Sequence, residues 1–226
     1  KLWIGTNKGL GLFDPSTRIS KNYQLNNIKI SNLSSFWIDD ILLDSKGRLW
    51  VGVSNGGLFR IDDTESFICK HFIYQSDNPN SLLDNDVYRI FEDSKKNIWV
   101  GSYEGLNLYD ETKDGFIRFV HDDQNEYSLS GRYVFSVFED KQNSLWIPTK
   151  RGVSFYSRYQ NQFKLIRNTS NRSQASLSNE VRCIYKGKNE ELWIGYILMG
   201  LDFYRNGKIE SHFENQPSNR NSLINN

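Results

Sequence analysis

Short apolar runs alternate with polar and glycine breaks along the whole chain. Near its middle they fall at 87–92, 97–102, 106–109 and 116–120, each rich in Val, Ile, Phe, Tyr or Trp. The breaks at 93–96, 103–105 and 110–115 carry Asp, Glu, Lys, Ser and Gly. Runs this short, punctuated in this way, are strand and hairpin grammar. No stretch sustains an apolar 3.6-residue period over a dozen positions, so no helix is expected. The same four-run pattern recurs over 38–74, 134–167 and 181–213.

A tryptophan marks every second run. Trp3, Trp50, Trp99, Trp146 and Trp193 follow one another at 47, 49, 47 and 47 residues, and Trp37 alone falls outside the series. Four antiparallel strands in about 47 residues is the size of one β-propeller blade. A single sheet of that size has two half-apolar faces and needs neighbours packed face to face. One indole can bury about 150–250 Å², which makes the tryptophan the expected filler between blades. The glycine two residues on (Gly52 after Trp50, Gly101 after Trp99) leaves room for close approach between sheets. Gly9, Gly57, Gly105, Gly152 and Gly200 open each third run, where a tight turn calls for positive φ.

The expected fold is therefore all-β, a β-propeller of four-stranded antiparallel blades, here an incomplete ring of about five. Residues 1–226 read as one propeller fragment. A partial blade covers 1–25, blades follow at about 36–75, 86–121, 133–168 and 180–214, and 215–226 lead into another. The chain opens on a second strand, and Asn221-Ser222-Leu223 matches Asn80-Ser81-Leu82 ahead of a first strand, so a longer protein is expected.

Composition narrows the function. The 226 residues carry a net charge of +1 with both signs interspersed, which argues against a nucleic-acid binder built on phosphate contacts. No apolar run is long enough for a membrane helix. Cys69 and Cys183 fall on strands of distant blades, so they read as buried small hydrophobes rather than a disulfide or metal pair. Asn168 and Asn171 open glycosylation-type triplets, a short pattern in a chain rich in Asn and Ser.

Chemistry is sparse. His71, His121 and His212 recur near the ends of fourth strands and read as solvated outer-edge residues. Asp44, Glu92-Asp93 and Glu139-Asp140 sit at the first turn of their blades, where a turn aspartate bonds its own backbone. The run Asp44-Ser45-Lys46-Gly47-Arg48-Leu49-Trp50 departs by one residue from a sialidase-type Asp-box, and Lys96 and Asn143 replace its glycine in later repeats. Nucleophile, P-loop, zincin and dinucleotide motifs do not occur. No catalytic residue, cofactor or metal is expected in this stretch.

The recurring phrase runs from Ile90-Phe91-Glu92-Asp93 through Trp99-Val100-Gly101-Ser102 to Gly105-Leu106-Asn107-Leu108-Tyr109-Asp110. It resembles the two-component regulator propeller repeat, five times over and across essentially the whole chain. The resemblance implies the periplasmic part of an inner-membrane hybrid sensor histidine kinase/response regulator of the Bacteroides type. Further blades, a downstream sandwich domain, a membrane helix, the kinase and a DNA-binding regulator would lie elsewhere in the protein. It implies an oligosaccharide ligand, signalling to glycan-utilisation genes and a homodimer in the full receptor, with no nucleic acid contacted by this region. Two departures reshape loops: Pro148 replaces the glycine of the fourth phrase, and Tyr196-Ile197-Leu198-Met199 replaces the short polar turn of the fifth.

What all blades share is scaffold, so a ligand is sought where they differ, at second-to-third-strand turns and first-strand entries. Rings stack on apolar sugar faces while charged groups meet hydroxyls. The candidates are Trp37, Asp39, Tyr103, Arg132, Tyr133, Lys150, Arg151, Arg182 and Tyr196. Trp37 has a second reading, as a packing ring beneath the 26–35 connection. Lys150, Arg151, Arg132 and Arg182 suit an acidic sugar or are plain surface cations. Two other functions stay open. One is a protein-interaction scaffold. The other is a propeller glycosidase or lyase, which needs a carboxylate pair about 5–9.5 Å apart, with Asp39, Asp40 and Asp86 as the acids to test.

Overall fold

The computed structural model describes residues 1–23, 37–66, 68–125, 127–157, 162–166 (backbone), 180–187, 191–197 and 199–224. Strands and turns, and no helix, occur among them. The chain divides into two compact units, Lys1–Phe119 and Val120–Asn226.

Unit 1 holds three sheets, each an antiparallel meander in chain order. The first contains β1 (Leu2–Thr6), β2 (Gly9–Asp14) and β3 (Ile19–Tyr23). The second contains β4 (Ile38–Leu43), β5 (Leu49–Val53), β6 (Gly57–Asp63) and β7 (Ile68–Phe72). The third contains β8 (Val87–Glu92), β9 (Ile98–Ser102), β10 (Gly105–Asp110) and β11 (Gly115–Phe119). Unit 2 holds two such sheets. One is β12 (Phe138–Glu139), β13 (Leu145–Thr149), β14 (Gly152–Ser157) and β15 (Gln162–Ile166); the other is β16 (Val181–Lys186), β17 (Leu192–Tyr196), β18 (Leu201–Arg205) and β19 (Lys208–Phe213).

The period of two along β5 explains how a blade buries both faces. Leu49, Val51 and Val53 join Leu10, Phe59 and Ile61 in a core against the first sheet. Trp50 points the other way, into a core with Leu58, Phe72, Val87, Tyr109 and Phe116 of the second and third sheets. In unit 2 Trp146, Val153, Val181, Leu192 and Ile194 pack in the same manner. The second-strand glycine permits the approach. A Cβ on Gly52 would sit 2.7 Å from Val87 Cγ1, and one on Gly5 would sit 2.5 Å from Ile38 Cγ2. The glycines opening third strands all have positive φ, from 77° at Gly57 to 146° at Gly105.

Each buried tryptophan is pinned by the aspartate at the first turn of its own blade. The indole N–H of Trp50 donates to Asp44 (2.8 Å), Trp99 to Asp93 (2.7 Å) and Trp146 to Asp140 (2.9 Å). The other carboxylate oxygen accepts two backbone N–H groups of the turn, Lys46 and Arg48 in the first case. Burial acts to raise the Asp44 carboxyl, and the hydrogen bonds from Trp50 and Arg48 outweigh it, holding it below the usual carboxylate range. The turn role expected for these acids is present, and the tryptophan is the partner that the sequence reading did not supply.

The Asn-Ser-Leu lead-in is a second recurring device. Ser81 donates its hydroxyl to the Gln75 carbonyl and accepts the Gln75 N–H, and Ser128 with Asp122 and Ser222 with Gln216 repeat the lock. Leu82 and Leu129, which follow the first two serines, are buried.

Three expectations change. The first strand of the fourth blade is short: Val134 makes an isolated bridge to Thr149, and pairing resumes only at Phe138–Glu139. Three residues lie between these pairings on one side and two on the other, so an extra residue interrupts the ladder. The histidines are not solvated edge groups. Antiparallel pairing sets His71 opposite Phe59 and His212 opposite Asp202. The His71 ring stacks on Phe59 at 4.1 Å and its Nε2 lies 2.7 Å from the Gly56 carbonyl, while His212 Nδ1 lies 2.6 Å from buried Asp202. His121 Nδ1 reaches the Leu129 carbonyl at 2.6 Å. Of the cysteines, Cys69 is half-buried but Cys183 is exposed, because its neighbour across the pair is Gly195, which has no side chain to cover it. Asn168, Asn171 and the 26–35 connection lie outside the described residues.

Candidate functional site

A register shift recurs where first strands begin. It lies between Ile38 and Asp40, between Val87 and Arg89, and between Val181 and Cys183. The extra residues are Asp39, Tyr88 and Arg182, and Phe135 falls in the corresponding interruption of the fourth blade. A bulged residue leaves the ladder and its side chain is re-aimed, so one position per blade is free to vary.

In unit 2 this gathers four side chains. Tyr133 and Phe135 lie with ring centroids 5.9 Å apart. Lys150 Nζ, from the β13–β14 turn, stands 4.8 Å from the Tyr133 centroid. Arg182 places its guanidinium 4.5 Å from the Phe135 centroid and 3.4 Å from Glu180. Each cation–ring contact at such an exposed place is worth about 0.5–1 kcal/mol, enough to pre-orient the donors. Arg132 is exposed next to Tyr133. The result is a positively charged, ring-lined patch able to stack on a flat ligand and donate to its oxygens.

In unit 1 the corresponding segment carries Trp37, 55% exposed. Its carbonyl accepts the Ser54 N–H at 2.9 Å, and Asp39 accepts the Ser54 hydroxyl. The next blade repeats the tie: the Asp86 carbonyl accepts Tyr103 N–H (3.1 Å), and its carboxylate accepts Asn55 N–H (2.7 Å). In unit 2 the Glu180 carbonyl accepts Ile197 N–H at 3.1 Å. Entry segments and turns are thus held as rigid platforms.

Two candidates are committed elsewhere. Arg151 bonds Asp123 (2.8 Å) and lies 2.7 Å from His121 Nε2; His121 and Arg151 together hold the Asp123 carboxyl below its ordinary value. Tyr196 donates its hydroxyl to buried Asp202 at 2.7 Å, and burial followed by that carboxylate raises its pKa well above the usual phenol value. The acids proposed for hydrolysis are also spent. Asp40 accepts N–H groups from Ile41 (3.0 Å) and Ile90 (2.7 Å), and burial raises its pKa, while Asp39 and Asp86 hold Ser54 and Asn55. Phe135 and Glu180 are the residues of the patch that the candidate set lacked; the break in period two at the first-strand entries was their signal.

A family model described as "Two component regulator propeller" matches residues 81–104, the lead-in and first two strands of the third blade. Residues 81–104 thus match one repeat of the two-component regulator propeller family. Among solved structures, this propeller resembles the extracellular domain of the putative hybrid two component system BT3049 from B. thetaiotaomicron. The TM-score is 0.68 at 27% identity, over 99% of this chain and 27% of that one. PorZ, a surface component of the type-IX secretion system of Porphyromonas gingivalis, matches with TM-score 0.67 at 16% identity over 94% of this propeller and 32% of that chain. Virginiamycin B lyase from Staphylococcus aureus matches with TM-score 0.61 at 16% identity, over 93% and 64%. The last two show the β-propeller fold alone. No curated protein matches the chain in sequence. The propeller spans about a quarter of the length of the BT3049 domain.

Proposed function

We propose that the chain is part of the ligand-recognising region of a hybrid two-component sensor. In this reading it is periplasmic, carries no catalytic step of its own, and takes an oligosaccharide at the first-strand entries and second-to-third-strand turns. The observation that carries it is the 27% identity along 99% of the chain to the extracellular domain of a putative hybrid two component system. The exposed Trp37 ring in unit 1 and, separately, the Tyr133–Phe135 pair with Lys150 and Arg182 in unit 2 each offer stacking surface, the latter with donors, of the kind a sugar requires. The membrane anchor, kinase, further blades, sandwich domain and homodimer belong to the whole receptor in this reading. Ligand binding would shift that receptor between signalling states by its differential affinity for them.

The test is calorimetry of the complete ectodomain against defined oligosaccharides. Binding is expected, and weakened by Trp37→Ala or by the pair Lys150→Ala and Arg182→Ala. Binding to no glycan, together with isolation of a stable protein partner, would replace this reading with the scaffold one.

A further inference from the structure

Within unit 1 the groove between the β4–β7 and β8–β11 sheets is filled by the chain itself. Arg48 and Arg60 lay their guanidinium groups over Trp50 (5.3 and 5.7 Å) and Tyr109 (5.8 and 5.6 Å). Asp44 and Glu111 pair with Arg48, and Asp62 and Asp114 with Arg60.

Within unit 2 the corresponding groove, between the β12–β15 and β16–β19 sheets, keeps the frame and loses the filling. Trp146 and Tyr204 meet edge-on at 5.7 Å and 72°, as Trp50 and Tyr109 do at 5.0 Å and 67°. Asp140 pins Trp146 as Asp44 pins Trp50. Yet Ser144 stands at the place of Arg48, Phe155 lies opposite Trp146 where Arg60 lies opposite Trp50, and Asn206 replaces Glu111. A cleft of about 270 Å³ is left, floored by Trp146, Phe155 and Tyr204 and rimmed by Lys186, Gln142 and Asn206.

We propose that this cleft is a ligand site for one neutral, hydroxyl-rich ring, the size of a single monosaccharide unit. The volume lies just below the roughly 300 Å³ at which pockets for drug-sized ligands begin. The aromatic floor offers faces for the apolar side of such a ring. Among the described residues, the Tyr204 hydroxyl, the Asn206 amide and the Lys186 ammonium make no hydrogen bond, so each is available to a hydroxyl. Charge excludes the alternatives. The Asp140 carboxylate already accepts Gln142 N–H, Ser144 N–H and the Trp146 indole, each at 2.9 Å, so a cation finds no free acid. An anion finds a single ammonium among the lining residues. The choice of a sugar among neutral rings rests on the sensing reading above.

Refilling the groove tests this. The double variant Ser144→Arg and Phe155→Arg rebuilds the unit 1 arrangement, with Asp140 placed to receive the first guanidinium. Saturation-transfer NMR would use the chain with methyl α-glucopyranoside, methyl β-galactopyranoside and N-acetylglucosamine, and with cyclohexanol as the hydroxyl-poor control. Transfer to at least one sugar and none to cyclohexanol is expected. The refilled variant should bind at least about tenfold more weakly, a loss of about 1.4 kcal/mol, at an undiminished melting temperature. Should that variant not fold, Lys186→Ala with Asn206→Ala must show the weakening. A surface control outside both sites, Lys113→Ala, should bind the monosaccharide as the parent does. No transfer to any probe, or parental affinity in the refilled or rim variant, overturns the cleft. Of these, parental affinity in the refilled or rim variant leaves the sensing reading standing.

Discussion

Replacing Asp44 by alanine is the most direct test of the tryptophan clamp. The carboxylate accepts Lys46 N–H (3.0 Å), Arg48 N–H (2.8 Å), Arg48 Nε (2.7 Å) and Trp50 Nε1 (2.8 Å). A hydrogen bond to a charged group contributes about 1.5–3 kcal/mol, and a buried donor left without a partner costs about 1–3 kcal/mol. Trp50 is fully buried, so its indole N–H bears that cost in full. The turn N–H groups are nearer solvent and recover part through water, and Arg48 keeps Glu111 at 2.8 Å. The expected loss is therefore about 3–4 kcal/mol, or a fall of about 6–16 °C in melting temperature for a chain of this size. Thermal unfolding followed by near-ultraviolet circular dichroism reads both the loss and the tryptophan environment. Asp44→Asn should recover about half, because its amide nitrogen cannot accept the second set of donors. Acid adds an independent arm. Asp44 has a folded pKa below its unfolded value of about 3.9. Its contribution is present above that value, is lost as pH falls through the folded value, and should vanish in Asp44→Asn. A loss in Asp44→Ala below about 1 kcal/mol would refute the clamp.

Four further outcomes follow from the same geometry. Lys96 holds φ at 70° where Gly47 holds 80° one blade earlier, so Lys96→Gly should add about 1 kcal/mol of stability, read as a higher urea midpoint; a decrease refutes the strain. Gly52→Ala forces a Cβ to 2.7 Å from Val87 Cγ1 and should cost about 1–3 kcal/mol on thermal unfolding, against no cost if the sheets can part. Gly187 makes the turn bond to the Glu191 carbonyl (2.8 Å) that Asp44 makes to Arg48 (2.9 Å), yet has no carboxylate for Trp193. With Glu191→Arg removing the carboxylate that lies 2.9 Å from a Cβ at this position, Gly187→Asp should therefore raise the melting temperature and steepen acid unfolding, and an unchanged acid limb would count against it. Burial, partly offset by the Gly56 carbonyl, lowers the His71 pKa. Its neutral ring stabilises the fold fully above the unfolded value of about 6.5, and that contribution is lost as pH falls below it. Urea midpoints between pH 7 and pH 5.5 should drop less in His71→Phe, and equal slopes would refute the assignment.

The blade grammar was legible because a propeller blade is built by local pairing. Each strand pairs with the next in the chain, so the tryptophan spacing and the glycines at Gly57, Gly105 and Gly152 carry the architecture directly. The clamp from Asp44 to Trp50 also joins neighbours in one blade, but a turn aspartate bonding its own backbone has the same sequence signature, so the indole bond shows only in the structure. Where a bulge falls is harder to see. Asp39, Phe135 and Arg182 share a position in the repeat, but their aim depends on one residue leaving a ladder that sequence periodicity presents as continuous.

Tertiary structure alone decided what stands between blades. Arg48, at the end of a turn, and Arg60, within β6, look like ordinary polar residues, and Ser144 before β13 and Phe155 within β14 look no less ordinary. Only when a second sheet brings Tyr109 or Tyr204 against the tryptophan does one groove prove filled and the other open. The sequence by itself determined the strands, their order and the repeat, because those rest on hydrogen bonds between adjacent segments and on a period of two. The contents of a groove rest on side chains about fifty residues or more apart in the chain, whose meeting is set by how sheets pack.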